Sequence, residues 1–163
     1  MNTTTTLTSM LNTQIQKEFE SAYIYLGFAA FFDMKGLAGF AEWYKQQAKE
    51  EEEHAMKIYD YLCKVNQPVE LMPIGAPKNK PETISQVLKQ SLEHEEYVTN
   101  LITTLYFQAE KEKNLFAKNF LNWFINEQLE EEQKAKELID KYNMFGSTPE
   151  GLYALDKELG GRQ

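Results

Sequence analysis

The chain has little of what would tie it to an oxidising compartment, a membrane or a nucleic acid. Among its 163 residues there is a single cysteine, Cys63. No intrachain disulfide can form, and a reducing compartment fits. Cys63 reads as a small apolar packing residue rather than a reactive thiol. No run approaches the roughly 18 consecutive apolar residues of a membrane span. Lys and Arg number 17 against 25 Asp and Glu, giving a net charge of -8. That balance argues against a basic surface for nucleic acid. Residues 1–6, Met-Asn-Thr-Thr-Thr-Thr, have neither the basic start nor the apolar core of a secretion signal. The expected location is cytoplasmic, with a processed organellar targeting peptide left open. There is no strand-like alternation of period two and no internal repeat.

Proline is missing from every long periodic segment. Pro68, Pro73, Pro77 and Pro81 cluster between residues 65 and 81, and Pro149 lies near the end. Because proline breaks helix interiors, these positions separate helical blocks from connections. The spacing predicts helices over about Leu7 to Phe32, Leu37 to Lys64, Pro81 to Ala109 and Leu115 to Asn143. Pro81 suits a first helical turn. The boundary between the third and fourth blocks carries the weakest signal. Thr148 and Pro149 predict the cap and first turn of a short fifth helix, with Leu152, Leu155 and Leu159 on its apolar side. The short connection through Gly36 makes the first two helices antiparallel neighbours. A helix of about 28 residues is roughly 42 Å long. A connection of about 16 residues reaches at most roughly 55 Å. The second connection can therefore run the length of a bundle and set helices two and three parallel. The expected fold class is all-α: a ferritin-like four-helix bundle with one long crossover and a short fifth helix.

The apolar stripes of these helices are interrupted by acids. In the first helix Leu11, Glu18, Tyr25 and Phe32 recur every seven residues and share a face, since seven residues drift only about 20°. The second helix has Phe40, Tyr44, Gln47, Glu51, His54, Ile58 and Leu62 at helical spacing. Glu51 and His54 are three apart and therefore neighbours. The third has Ile84, Leu88, Ser91, Glu95, Val98, Ile102 and Leu105. The fourth has Leu121, Phe124, Gln128, Glu131, Ala135 and Leu138. Each stripe thus holds a polar, ligand-type residue near its middle.

Any one of these acids would more often be a boundary or surface residue, and His54 alone more often a satisfied core histidine. The run Glu50 to Glu53 could be a solvated face. Yet consecutive helical residues turn by about 100°, so at least one of the four faces inward or lies at its edge. Four acids and a histidine at mid-height on four stripes would repel strongly in a dry core. Two divalent cations would neutralise them. Hard carboxylate oxygens with limited imidazole suit iron or manganese and accept zinc. Glu50, Glu127 and Glu130 each lie one residue from a stripe position, turned by about 100°. A second, more exposed carboxylate site and simple solvation stand level for these three.

Taken together, these residues resemble a non-haem ferritin of the bacterial type over essentially the whole chain. The resemblance rests on Glu18 with Tyr25, Glu50-Glu51-x-x-His54, His94-Glu95, and Trp123 with Glu127-Gln128-x-Glu130-Glu131. Glu150-Gly151-Leu152-Tyr153-x-x-Asp156-Lys157-Glu158-Leu159 is similar to the family's fifth helix. The resemblance implies a single ferritin-like domain over residues 1–163 and a di-iron oxidation centre within each subunit. Glu18, Glu51 and His54 would hold the first iron and Glu51, Glu95 and Glu131 the second, with Glu51 bridging. Gln128 would hydrogen-bond oxygen species or bound water, and Tyr25 would supply an electron. A third iron would use Glu50, Glu127 and Glu130, with Glu131 shared. Fe(II), oxygen or hydrogen peroxide, and a cage of 24 copies of the chain are the implied partners; no nucleic acid and no membrane are expected. Bacterioferritins differ in carrying a second Glu-x-x-His in the fourth helix, which has no histidine here. Glu52 stands where their haem-binding methionine would, so no haem is expected. One cysteine is too few for the four-cysteine site of rubrerythrins.

The expected function is an iron-storage ferroxidase. A di-metal oxidase or oxygenase acting on an organic substrate would share the ligands but need an apolar substrate cavity. A metal-free helical scaffold would instead pair the inward glutamates with lysines.

Overall fold

Hydrophobic stripes separated by proline-rich or short polar connections give five helices in the computed structural model, which describes residues 6–78 and 80–162. The opening residues 1–5 lie outside the described part. The helices are α1 (Leu7–Met34), α2 (Ala38–Lys64), α3 (Ile84–Lys111), α4 (Leu115–Phe145) and α5 (Pro149–Gly160). No strand occurs among the described residues, and none of the helices is long and apolar enough to cross a membrane.

Local chemistry sets most of the ends. Thr6, Thr83, Asn114 and Thr148 each cap a helix by accepting a hydrogen bond from a backbone N–H three residues on. α3 starts three residues later than the sequence predicts. Thr83 is extended (φ -130°, ψ 158°) and takes the cap, so Pro81 sits before the helix rather than in its first turn. The weakly signalled break between α3 and α4 is made by Lys113 at φ 55°, followed by the Asn114 cap. Gly36, at φ 75°, makes the tight turn between α1 and α2.

The connection from α2 to α3 runs the length of α1. Asn12 donates to the Pro68 carbonyl at 2.9 Å and accepts from the Glu70 N–H at 2.7 Å. Gln16 donates to the Pro73 carbonyl at 2.6 Å. Further on, Pro77 approaches Gly27, and Pro81 lines a groove with Phe31 and Met34. The chain thereby returns to the end where α2 began, and α2 and α3 run parallel. The Leu7 N–H accepted by Glu112 at 2.9 Å ties the start of α1 to the end of α3. This is the four-helix bundle with one long crossover.

The core is divided into two apolar zones. Near the α5 end, Tyr25, Phe28, Phe32, Phe40 and Tyr44 pack with Val87, Leu88, Leu138, Leu155 and Leu159. Phe32 stacks on Phe40 and on Tyr44 at centroid distances of 4.7 and 5.5 Å. Each fully buried aromatic contributes about 1.5–3 kcal/mol. At the other end, Leu7, Leu11, Ile15, Ile58, Leu62, Ile102, Leu105, Leu121 and Phe124 make an aliphatic zone. All four stripe glutamates, with Ser21, His54, Ser91 and Gln128, lie between the two zones in the order of each helix.

Helix α5 is built into α2 rather than appended to it. α2 has no side-chain cap of its own. Asp156 of α5 supplies one by accepting from the Phe40 N–H at 2.9 Å. The contact is close: a Cβ on Gly39 would lie 1.6 Å from the Asp156 carbonyl oxygen.

Candidate metal centre

The four stripe glutamates sit where the stripe spacing predicts them, facing one another. Glu18, Glu51 and Glu131 are each 1% exposed, Glu95 is 2% and His54 is 4%. α1 contributes Glu18, α2 contributes Glu51 and His54, α3 contributes Glu95 and α4 contributes Gln128 and Glu131. One ligand atom each from Glu18, Glu51 and His54 lies within 4.8 Å of the others. The same is true of Glu51, Glu95 and Glu131, and of His54, Glu127 and Glu131. Glu51 belongs to the first two groups and lies between them.

Hydrogen bonds aim these side chains. Gln14, one turn before Glu18, donates to Glu18 Oε1 at 2.9 Å. Glu18 Oε2 is buried and has no hydrogen-bond partner among the described residues; it lies 4.0 Å from His54 Nδ1. That same nitrogen is 3.2 Å from Glu51 Oε2. The other ring nitrogen, Nε2, faces Glu127 at 3.5 Å. The Tyr25 hydroxyl donates to Glu95 Oε1. Gln128 donates to Glu95 Oε2 at 3.2 Å and is shared with Thr99 at 3.3 Å. Gln47 donates to Glu131 Oε2, and Lys134 donates to Glu131 Oε1 at 3.1 Å.

So many acids in a dry layer resist ionisation. Burial, with Glu51 alongside, holds the Glu18 carboxyl well above the usual range. Burial and Glu95 do the same to Glu51. Burial and Glu131 push Glu95 up to about 8. Burial also raises Glu131, although Lys134 opposes it. The Tyr25 phenol is held well above its ordinary value by burial and by Glu95. Burial opposes charge on His54, but Glu127 and Glu18 outweigh it and raise its pKa. Half-buried Glu127 is held low by its bond to His54. Protonation is how this layer tolerates itself, and a divalent cation would replace those protons.

The residues fit such an ion. A buried carboxylate oxygen without a partner is rare in folded proteins, and Glu18 Oε2 points at the other two members of its group. The donor set is carboxylate oxygen with one imidazole, which suits iron or manganese and accepts zinc. Among the described residues, no lysine or arginine pairs with Glu18, Glu51 or Glu95.

The residues of the more exposed acidic set are dispersed. Glu127 joins His54 and Glu131. Glu50 is taken by Lys134 at 3.2 Å and by Arg162 at 2.9 Å. Glu130 is exposed and belongs to none of the three groups. Trp123 lies with its ring 5.5 Å from that of His54 and under the Lys57 ammonium at 3.7 Å. Gln47 stands in the second stripe, four residues before Glu51, but the stripe gave no sign of its role as a donor to Glu131; Gln14, four residues before Glu18, was not singled out. Lys134, three residues after Glu131, was not singled out either. Nothing in the sequence pointed to Arg162.

Comparison with known proteins gives the family. The ferritin-like domain model matches residues 8–145. A bacterial non-heme ferritin of Staphylococcus haemolyticus is 39% identical over 156 residues, covering 96% of this chain and 94% of the relative. A probable bacterial non-heme ferritin-like protein of Haemophilus influenzae is 34% identical over 151 residues, covering 93% and 92%. The open-pore ferritin of Archaeoglobus fulgidus superposes with a TM-score of 0.93 at 38% identity, covering 96% of each chain. With a matched family model, near full-length relatives and a shared fold, the chain belongs to the ferritin family.

Proposed function

We propose that the chain is an iron-storage ferroxidase, and that Fe(II) is the substrate of the acidic layer. Glu18, Glu51 and His54 bind one Fe(II); Glu51, Glu95 and Glu131 bind the other, with Glu51 between them. Each Fe(II) gives up one electron. Dioxygen takes both with two protons and leaves as hydrogen peroxide, or peroxide itself is the oxidant. Gln128, already bonded to Glu95, is placed to hydrogen-bond the oxygen species. Tyr25, bonded to Glu95, is an oxidisable side chain in contact with the layer. The ferric product is stored as a mineral inside a cage, which by analogy with the family has 24 copies of the chain, and the setting is cytoplasmic. The whole chain works as one unit, α5 included.

The observation that carries this reading is the unpartnered Glu18 Oε2, buried within a layer of four carboxylates. Carboxylates suit the work because they bind both oxidation states and shift between one- and two-oxygen coordination. The open mouth beside His54 also supports a cation over an organic substrate. It is lined by Glu50, Glu53, Asp60 and Glu127 as well as Met56, Lys57 and Trp123, an acidic rim rather than the apolar cavity an organic substrate needs. Stopped-flow oxidation of the first irons per chain is expected to slow strongly in Glu18→Ala and His54→Ala. Unchanged rates in both would count against the site. Iron loading far above two atoms per chain separates storage from a di-metal oxidase.

A further inference from the structure

Among the described residues Glu131 is the one stripe glutamate paired with a lysine or arginine, Lys134, and Arg162 reaches it through Gln47 and Glu50. Lys134 bonds Glu131 Oε1 at 3.1 Å and Glu50 Oε2 at 3.2 Å. Arg162, just beyond α5, bonds Glu50 Oε1 at 2.9 Å and Gln47 Oε1 at 3.1 Å through Nη2. Gln47 in turn donates to Glu131 Oε2. The five residues close a ring: Arg162, Gln47, Glu131, Lys134, Glu50 and back to Arg162. A further bond from Arg162 Nη1 to the Trp43 carbonyl at 3.1 Å, with the guanidinium 4.4 Å above the Trp43 ring, seats the arginine. The ring puts a donor on each oxygen of Glu131, so a metal ion has to share the carboxylate with these donors or displace one. A divalent ion at Glu131 would also sit beside the Lys134 ammonium and be repelled by it.

We propose that Lys134 and Arg162 are positioning residues that hold Glu131 ready and keep its ion position the weaker of the two, and that filling this position loosens the end of the fifth helix. The inference rests on the di-metal reading given above. It assigns the two positions different tasks. The position at Glu18, Glu51 and His54 has no lysine or arginine beside it among the described residues and retains its ion. The position at Glu131 exchanges its ion readily, as a site passing substrate onward must. Coupling of this kind is reciprocal: if the ion weakens the hold on Arg162, removing Arg162 strengthens the hold on the ion.

Zn(II), which is redox-inert, tests this by calorimetric titration of the assembled protein. Wild type is expected to bind in two classes. In Lys134→Met and in Arg162→Met the weaker class is expected to tighten, by about tenfold in the lysine variant, with the tighter class nearly unmoved. Amide hydrogen exchange across residues 152–162 is expected to speed up on Zn(II) saturation in wild type and to be insensitive to Zn(II) in Arg162→Met. A weaker class that is unmoved or weakened in both variants overturns the inference, as does exchange that never responds to Zn(II). A purely structural role for the two cations would give that weakening. If wild type binds no Zn(II), or Glu18→Ala leaves both classes intact, the di-metal reading itself has failed and the inference falls with it.

Discussion

On the α1 side of the acidic layer, Glu18 and Glu51 face His54; among the described residues no lysine or arginine stands beside them, and one oxygen of Glu18 has no hydrogen-bond partner. On the α4 side, Glu131 has an ammonium on one oxygen and an amide on the other, and a guanidinium one residue further away. Glu18, Glu51 and Glu131 are equally buried, yet only Glu131 has a lysine on it, while Glu18 and Glu51 have the His54 imidazole. An acid without a counterion remains protonated until a metal displaces the proton. An acid with one is held in place by it, and the metal has to compete with that cation for the carboxylate. The difference teaches that burial alone does not set the character of a metal position. The cations left within reach of it do.

The largest effect should come from the residue the two regions share. Glu51→Ala is expected to slow the first phase of Fe(II) oxidation by at least about 100-fold, the upper end of what losing even an indirect support costs a metal site. The same variant should melt at a higher temperature than wild type when both are metal-free, because an uncompensated buried acid has gone. A lower metal-free melting temperature would indicate that Glu51 is structurally satisfied without an ion.

Changing pH separates the two regions next. A carboxyl whose folded pKa lies above its unfolded value binds its proton more tightly when folded. Its stabilisation is complete below the unfolded value of 4.5 and is lost as pH rises through the folded one, about 8 for Glu95. Glu18 and Glu51 shift in the same direction. The metal-free protein is therefore expected to lose thermal stability between pH 5 and pH 8, and Glu18→Gln and Glu95→Gln to lose less. Zn(II) should abolish the decline, since the ion replaces the protons. Calorimetric melting with and without chelator measures this, and stability rising with pH in the metal-free protein would contradict it.

Smaller effects sharpen the α4 side alone. Gly39→Ala forces a Cβ onto the Asp156 carbonyl and should cost about 3 kcal/mol in denaturant unfolding. By displacing α5 it should also release Arg162, altering the weaker Zn(II) class and not the tighter one. Asp156→Ala removes the cap that α5 lends to α2, at about 1 kcal/mol. An Asp156→Ala loss equal to that of Gly39→Ala would make the cap, rather than close packing, the main hold on α5.

The sequence made the fold readable because the stripes keep helical spacing and the prolines fall between them. Buried Glu18, Glu51, His54, Glu95, Gln128 and Glu131 were legible for a related reason: each interrupts an apolar series at the same height. Boundaries set by single backbone conformations were less visible. Lys113 in the left-handed region ends α3, and Thr83 takes the capping role two residues after Pro81. The acidic run also resolved only in three dimensions, with Glu51 buried, Glu50 at the edge and Glu52 and Glu53 exposed. Arg162 and Asp156 were out of reach because their partners lie more than a hundred residues away. Only the docking of α5 on α2 brings them together.

The most direct test of two ion positions within the acidic layer is an anomalous-scattering map from crystals soaked anaerobically in Fe(II). The account expects two peaks in each chain: a strong one among Glu18, Glu51 and His54, and a weaker one among Glu51, Glu95 and Glu131. A map with no peak among these side chains, while the crystals hold iron elsewhere, would contradict it.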